Sequence, residues 1–173
     1  MSSLSATTVA LTNIKNFYSQ DSAIILDSNG RTRFPYAPAF YGYRSITNWE
    51  NYGLTLGENK VYIYNVAVTN RENCYDTSTG TFTCPVEGFY GVCPGALMGN
   101  NGASASLIVF KNGVAQTTYG VHGNTVGQSN WFHNATVFFI KCVPNDKLQI
   151  RCSTEAATIY GEGYAHCSIW LHC

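Results

Sequence analysis

From Lys60 onward, runs rich in Val, Ile, Tyr, Phe and Thr follow one another at short intervals, separated by clusters of Gly, Asn, Pro and Asp. Such punctuation leaves no room for long helices, helical periodicity is nearly absent, and the pattern is that of an all-β sandwich. Residues 61–68 read as one strand, 81–84 as the next after a turn at Thr79-Gly80, and 88–92 as a third. A Gly/Asn loop over residues 99–102 follows. Residues 105–110 and 114–119 flank Lys111-Asn112-Gly113, whose Asn-Gly pair accepts the positive φ angles of a tight hairpin turn. Residues 134–143 and 147–152 flank Pro144-Asn145-Asp146, a second hairpin signal, and residues 165–173 supply a terminal strand. Gly80, Gly88 and Gly113 are expected at turns or at closely packed backbone.

The first 37 residues behave differently. They are polar at first, and then carry a small hairpin, residues 23–26 against 31–34 around Asn29-Gly30. Leu4, Leu11 and Tyr18 recur every seven residues, a spacing that fits a short helix, but the surrounding Ser, Thr and Asn favour an extended arm. Pro35 and Pro38 separate this arm from a sandwich over residues 38–173, because proline and its predecessor both resist helix and interior strand. Residues 1–20 show no basic region followed by an apolar core, and no run of about 18 apolar residues occurs. The expectation is a protein folded in a cytosol and not inserted in a membrane.

Charge narrows the partners. Ten basic residues balance ten acidic ones, and only 12% of the chain is charged against 14% aromatic. No basic field exists to attract phosphate backbones, so nucleic-acid binding is not expected. A neutral, aromatic-rich surface favours self-association, with broad faces buried between subunits. The seven cysteines include no C-x-x-C pair and no histidine at finger spacing. Several fall at steps of two with apolar residues, as Cys152 does after Leu148 and Ile150, and they read as small buried hydrophobes.

Particular residues carry a family resemblance. Pro38-Ala39-Phe40-Tyr41-Gly42-Tyr43 resembles the opening strand of the globular heads of complement component one q, which share a jelly roll with the tumour necrosis factor cytokines. Asn70, Tyr75, Asp76, Thr79-Gly80, Phe82, Cys84-Pro85, Gly88 and Tyr90 are similar in order and spacing to that family's signature, as are Leu107, Asn112-Gly113, Asp146, Gly161 and Ser168 later on. The resemblance implies a two-sheet antiparallel jelly-roll sandwich assembled as a homotrimer with aromatic residues near the threefold axis. Family signatures carry an aromatic near Val92 or Cys93 and a Phe near Cys167, so Trp131, Phe132, Phe138 and Phe139 are expected to compensate in the packing. Upstream, residues 27–40 resemble a segment that precedes such domains in phage structural proteins, where an Asp-Ser-x-Gly-Arg hairpin and a Pro-x-x-Pro leader enter the sandwich.

Catalytic chemistry is not legible. His122, His133, His166 and His172 stand in no recognisable motif, and His166 and His172 share one face of the terminal strand with Ser168 and Trp170. No cofactor is expected. Calcium occurs in some members of the resembled family, but Asp146, Glu155 and Glu162 do not form a loop of alternating oxygen ligands. Tyr119, His122, Trp131, Tyr160, Tyr164 and Trp170 are candidate surface-recognition residues, offering flat faces to a glycan or packing between subunits. The leading expectation is a non-enzymatic virion protein made in a bacterial cytoplasm. It would be a homotrimeric capsid decoration or cement protein at the virion surface, held to the major capsid protein or another virion protein by residues 1–37. A phage tail or fibre knob that binds a host surface glycan, and a secreted lectin-like module, are the alternatives.

Overall fold

The computed structural model describes residues 25–26, 32–33, 37–45, 53–56, 58–98, 104–124, 132–152, 157–161 and 164–172. The chain divides into two units, Met1–Ala37 and Pro38–Cys173. In the first, β1 (Ile25–Leu26) pairs antiparallel with β2 (Thr32–Arg33), with Ile25 opposite Arg33 and Leu26 opposite Thr32. The two strands fall within the expected hairpin, with two residues per strand. The expected arm over residues 1–20 lies outside the described residues.

The second unit holds two antiparallel sheets. One is built from β3 (Ala39–Tyr43), β4 (Gly53–Leu56), β5 (Val66–Asn70), β8 (Gly88–Met98), β11 (Phe132–Ala135), β12 (Phe138–Cys142), β14 (Ala157–Tyr160) and β15 (His166–His172). The other is built from β6 (Tyr75–Asp76), β7 (Thr81–Thr83), β9 (Ser104–Lys111), β10 (Val114–Asn124) and β13 (Lys147–Cys152). Strand order is β4-β14-β8-β15-β3-β5 in the larger sheet, with β11 and β12 on the other side of β8, and β10-β9-β13-β7-β6 in the smaller. After β5 the chain passes repeatedly from one sheet to the other, which is the jelly-roll connection. No α-helix occurs among the described residues.

Between the sheets lies an aromatic and aliphatic core. Phe40 of β3 stacks on Tyr75 of β6 with ring centroids 3.7 Å apart, and Phe82 of β7 meets Tyr90 of β8 edge-on at 5.7 Å. Each pair joins one sheet to the other. Leu107, Val109, Leu148 and Ile150 fill the smaller sheet's side, and Val92, Ile140, Cys167 and Ile169 the larger sheet's side. Cys74, Cys84, Cys142, Cys152 and Cys167 are buried among them, as small apolar side chains would be, while Cys93 is half-buried. Val92 and Cys167 therefore occupy core positions where the family pattern carries aromatics. Phe138, packed against the core with Tyr119 at 5.5 Å, supplies ring area there, but Phe139 does not, because the next residue of a strand must face the opposite side.

Two strand expectations need correction. Residues 61–68 do not form one strand. Tyr62 donates its amide to Ile150 and Cys152 donates to Lys60, so this stretch runs beside β13, whereas Val66–Asn70 pairs with β3 in the other sheet. The alternation that looked like a strand is Tyr62 and Tyr64, both buried as the chain crosses the core. Residues 134–143 likewise split into β11 and β12. Ala135 pairs with Gly95 and Phe138 with Val92, leaving Cys93 and Pro94 of β8 unpaired on that side. Pro94 has no amide hydrogen, so the ladder must break there. Further, β8 reaches Met98 and β10 reaches Asn124, beyond the 88–92 and 114–119 read from sequence.

The signature residues have structural tasks. Asn70 donates its Nδ2 to the Tyr75 carbonyl at 2.8 Å and accepts the Tyr75 amide at 3.0 Å, closing a loop in which Glu72 and Asn73 have positive φ. Asp76 accepts from the amide and hydroxyl of Ser78 and the hydroxyl of Thr79, and these bonds hold its carboxyl down at about 2. The turn ends at Gly80, φ +69°, and Pro85 follows in the link to β8, where Gly88 lies under Leu171. Asn112 (φ 51°) and Gly113 (φ 80°) form the tight β9–β10 turn. Asp146, almost fully buried, accepts from the Val143 amide at 2.9 Å and Asn112 Nδ2 at 2.7 Å, with Lys111 Nζ at 3.1 Å. It thereby ties the β12–β13 turn to the β9–β10 turn.

Two outcomes are expected. A Cβ at Gly113 meets nothing within 4 Å, so Gly113→Val should cost only the backbone strain, about 1–3 kcal/mol by urea unfolding. Asp146→Ala should cost about 1–3 kcal/mol at neutral pH, because it strands the Val143 amide and the Asn112 amide. The Val143 amide, then the Asn112 amide, lower the Asp146 pKa in the folded state. Its contribution is therefore full above the unfolded carboxylate value of about 4 and disappears as pH falls through the folded value. Urea midpoints of wild type and Asp146→Ala should converge in acid; a constant gap across that range would show that the carboxylate is not the source.

Candidate functional site

Seven consecutive pairs, from His166 opposite Gly95 to His172 opposite Phe89, align β15 with β8. Because side chains alternate, Tyr90, Val92, Cys167 and Ile169 enter the core, while Phe89, Gly91, Cys93 and Gly95 share the outer face with His166, Ser168, Trp170 and His172. The outer face of the larger sheet is the most aromatic surface among the described residues.

At one end it carries a ring cluster. Trp170 lies across Gly91, so closely that a Cβ there would sit 2.5 Å from the indole. Phe139, opposite Gly91 on the other side, meets Trp170 edge-on at 6.4 Å and His172 at 4.9 Å. Phe89 is 52% exposed and Phe139 45%, and Tyr41 of β3 is exposed as well. At the rim, Lys141 and Glu87 form an exposed ion pair at 3.4 Å.

At the other end lies a histidine pair. His133 of β11 is opposite Leu97, His166 of β15 is opposite Gly95, and their rings stack with centroids 5.7 Å apart and planes at 25°. Partial burial, then the neighbouring His133, lowers the His166 pKa and favours its neutral form.

Of the four candidate recognition residues whose side chains are described, Trp170 joins this face's ring cluster. Tyr119, on β10 of the smaller sheet, is partly buried and packed against the core beside Phe138. Tyr160 is half-buried on β14, where its carbonyl lies 3.5 Å from the Tyr62 hydroxyl. Tyr164 is exposed just before β15. The backbone of His122 lies in β10 opposite Ser106, its side chain falls outside the described residues, and so does Trp131. Sequence reasoning placed Phe139 in the packing and did not single out Phe89, Tyr41 or the His133–His166 pair. The adjacent Phe138-Phe139 is the signal that one ring must face outward; the histidine pair depends on a register that no local pattern encodes.

A polar cleft of about 460 Å³ opens on the smaller sheet, lined by Asn73, Cys74, Asp76, Thr79, Thr81, Thr83, Lys147 and Gln149. Its carboxylate is already occupied by Ser78 and Thr79. Its thiol, Cys74, is pushed up to about 11 by burial and then by Glu72, so it is protonated near neutral pH. Asp146 is committed to two turn amides and an ammonium group, and no group of three His, Cys, Asp or Glu among the described residues is placed to hold a metal ion. Glu155 and Glu162 lie outside the described residues.

Comparison with known proteins agrees with this geometry. The family profile described as C1q domain matches residues 48–166. Among solved structures, the globular domain of zebrafish complement 1qA protein is similar at 15% identity over 79% of this chain and 98% of that one, TM-score 0.60. Eiger TNF from S. frugiperda is similar at 10% identity over 79% and 93%, TM-score 0.60, and murine APRIL at 7% over 79% and 99%, TM-score 0.60. These likenesses establish a shared fold. With more than half of its length matched by the profile and the jelly-roll strand order in place, this chain belongs to the C1q domain family.

Proposed function

We propose that the chain is a non-enzymatic, self-associating head: a homotrimer closed through the aromatic end of the outer face of the larger sheet, which decorates a virion surface and is anchored there by residues 1–37. The observation that carries the assembly is the ring cluster of Phe89, Phe139, Trp170 and His172, in which the large apolar rings of Phe89 and Phe139 are exposed to water. Rigid aromatic rings are the side chains that contribute most at subunit interfaces. Cyclic closure also covers a broad apolar face without leaving a second copy of it exposed. The threefold order comes from the family resemblance.

The virion setting is supported by the resemblance of residues 27–40 to the leader segment of phage structural proteins. A fully extended arm of about forty residues reaches more than about 100 Å, enough to cross neighbouring capsid subunits. The partner proposed for it is the major capsid protein, with synthesis in the bacterial cytoplasm. A tail or fibre knob would use the same trimer and direct an aromatic residue such as Tyr164 at a host glycan.

Sedimentation of the full chain at low micromolar concentration should give three chains per particle, and a monodisperse 19.0 kDa monomer would defeat the assembly. Phe139→Asp, at an exposed position, should keep the sheet signal in circular dichroism while weakening association by at least about 2 kcal/mol. Deletion of residues 1–20 should leave the trimer intact and abolish co-sedimentation with undecorated capsids. Equal binding by the truncated and intact proteins would remove the anchoring role.

A further inference from the structure

We propose that His133 and His166 form a two-imidazole site for a divalent transition-metal ion of the zinc type, with water completing the coordination. The ligands come from strands that do not touch each other, one on either side of β8. Zinc–nitrogen bonds of about 2.0–2.1 Å place an ion about 3.2 Å from each ring centre, so two imidazoles on one ion have centroids about 5–6 Å apart. The observed separation is 5.7 Å, so the backbone already holds the rings at a chelating distance. Small rotations about the side-chain bonds would turn the near-parallel rings so that one nitrogen of each faced the ion.

Gly95 makes the site. Its missing side chain leaves the space in which the His166 ring lies, and a Cβ there would come within 2.7 Å of Nε2 and 2.9 Å of Cε1. The residue opposite Gly95 on β11 is Ala135, also small. Neither imidazole takes part in a hydrogen bond among the described residues; what the structure gives each is the other ring. Ring nitrogens with no hydrogen-bond partner among the described residues are available to a metal, and imidazole suits zinc, copper and nickel. Two protein ligands hold an ion more weakly than the three or four of catalytic and structural zinc sites, and the expected affinity is micromolar.

This inference does not rest on the trimer, since both ligands belong to one chain. A protein that sediments as a monomer and still binds zinc would leave it standing. The test is isothermal titration of tag-free full-length protein with zinc chloride alone. One ion per chain is expected, with about 100-fold weaker binding in His133→Ala and in His166→Ala, because loss of either ring removes the chelate advantage. Ser168→Ala, on the same face but outside the pair, should bind as wild type does. Each variant is first matched to wild type by circular dichroism, and zinc should raise the melting midpoint of wild type and Ser168→Ala only. Absence of saturable binding by wild type, or loss in one of the pair variants but not the other, would overturn the site.

Discussion

The register of β15 on β8 is the constraint on which the rest of the larger sheet depends. A slip by one residue would turn Cys167 and Ile169 out to solvent and drive His166 and Trp170 into the core. The glycines of β8 hold that register from the outside. Gly91 and Gly95 each receive a ring from β15, and after a slip of two residues those rings would meet Phe89, Cys93 or Leu97 instead. Core alternation and surface glycines thus select the same alignment, and the outer face follows from it.

At the corner where β9–β10 and β12–β13 turn back, a different economy operates. Asn112, Gly113 and Asn145 all have positive φ, and loops this tight leave amides without ladder partners. One buried carboxylate, Asp146, collects the Val143 backbone amide, the Asn112 side-chain amide and the Lys111 ammonium, while Asn112 Oδ1 accepts the Lys147 amide at 2.8 Å and so returns the link. Two turns far apart in sequence become a single hydrogen-bonded corner.

Much of this was legible in the amino-acid sequence. The strand-rich pattern, the Asn112-Gly113 turn, β13 to the residue, and the family signature all rest on local chemistry: β-branched alternation, positive-φ residues, proline and glycine. What sequence could not supply was long-range. The crossing of residues 59–65 from one sheet to the other looks like a strand, because Tyr62 and Tyr64 alternate whether or not their backbone is laddered. The split of β11 from β12 was written in Pro94, forty residues upstream, and becomes visible only once that residue is known to lie opposite residues 136–137. The outer face suffers the same blindness. Trp170 was readable as a surface ring, but its neighbours Phe139 and Phe89 come from other strands, and Tyr119 packs partly against the core beside Phe138.

Pro94 has one more consequence. Because it cannot donate, β8 carries two separate ladders on that side instead of one, four pairs with β11 and five with β12. Phe139, at the aromatic end of the outer face, is thus set by the five pairs of β12, and His133, at the other end, by the four pairs of β11. A single residue without an amide hydrogen therefore divides the scaffold of that face between two strands, each free to vary in sequence without disturbing the ladder of the other.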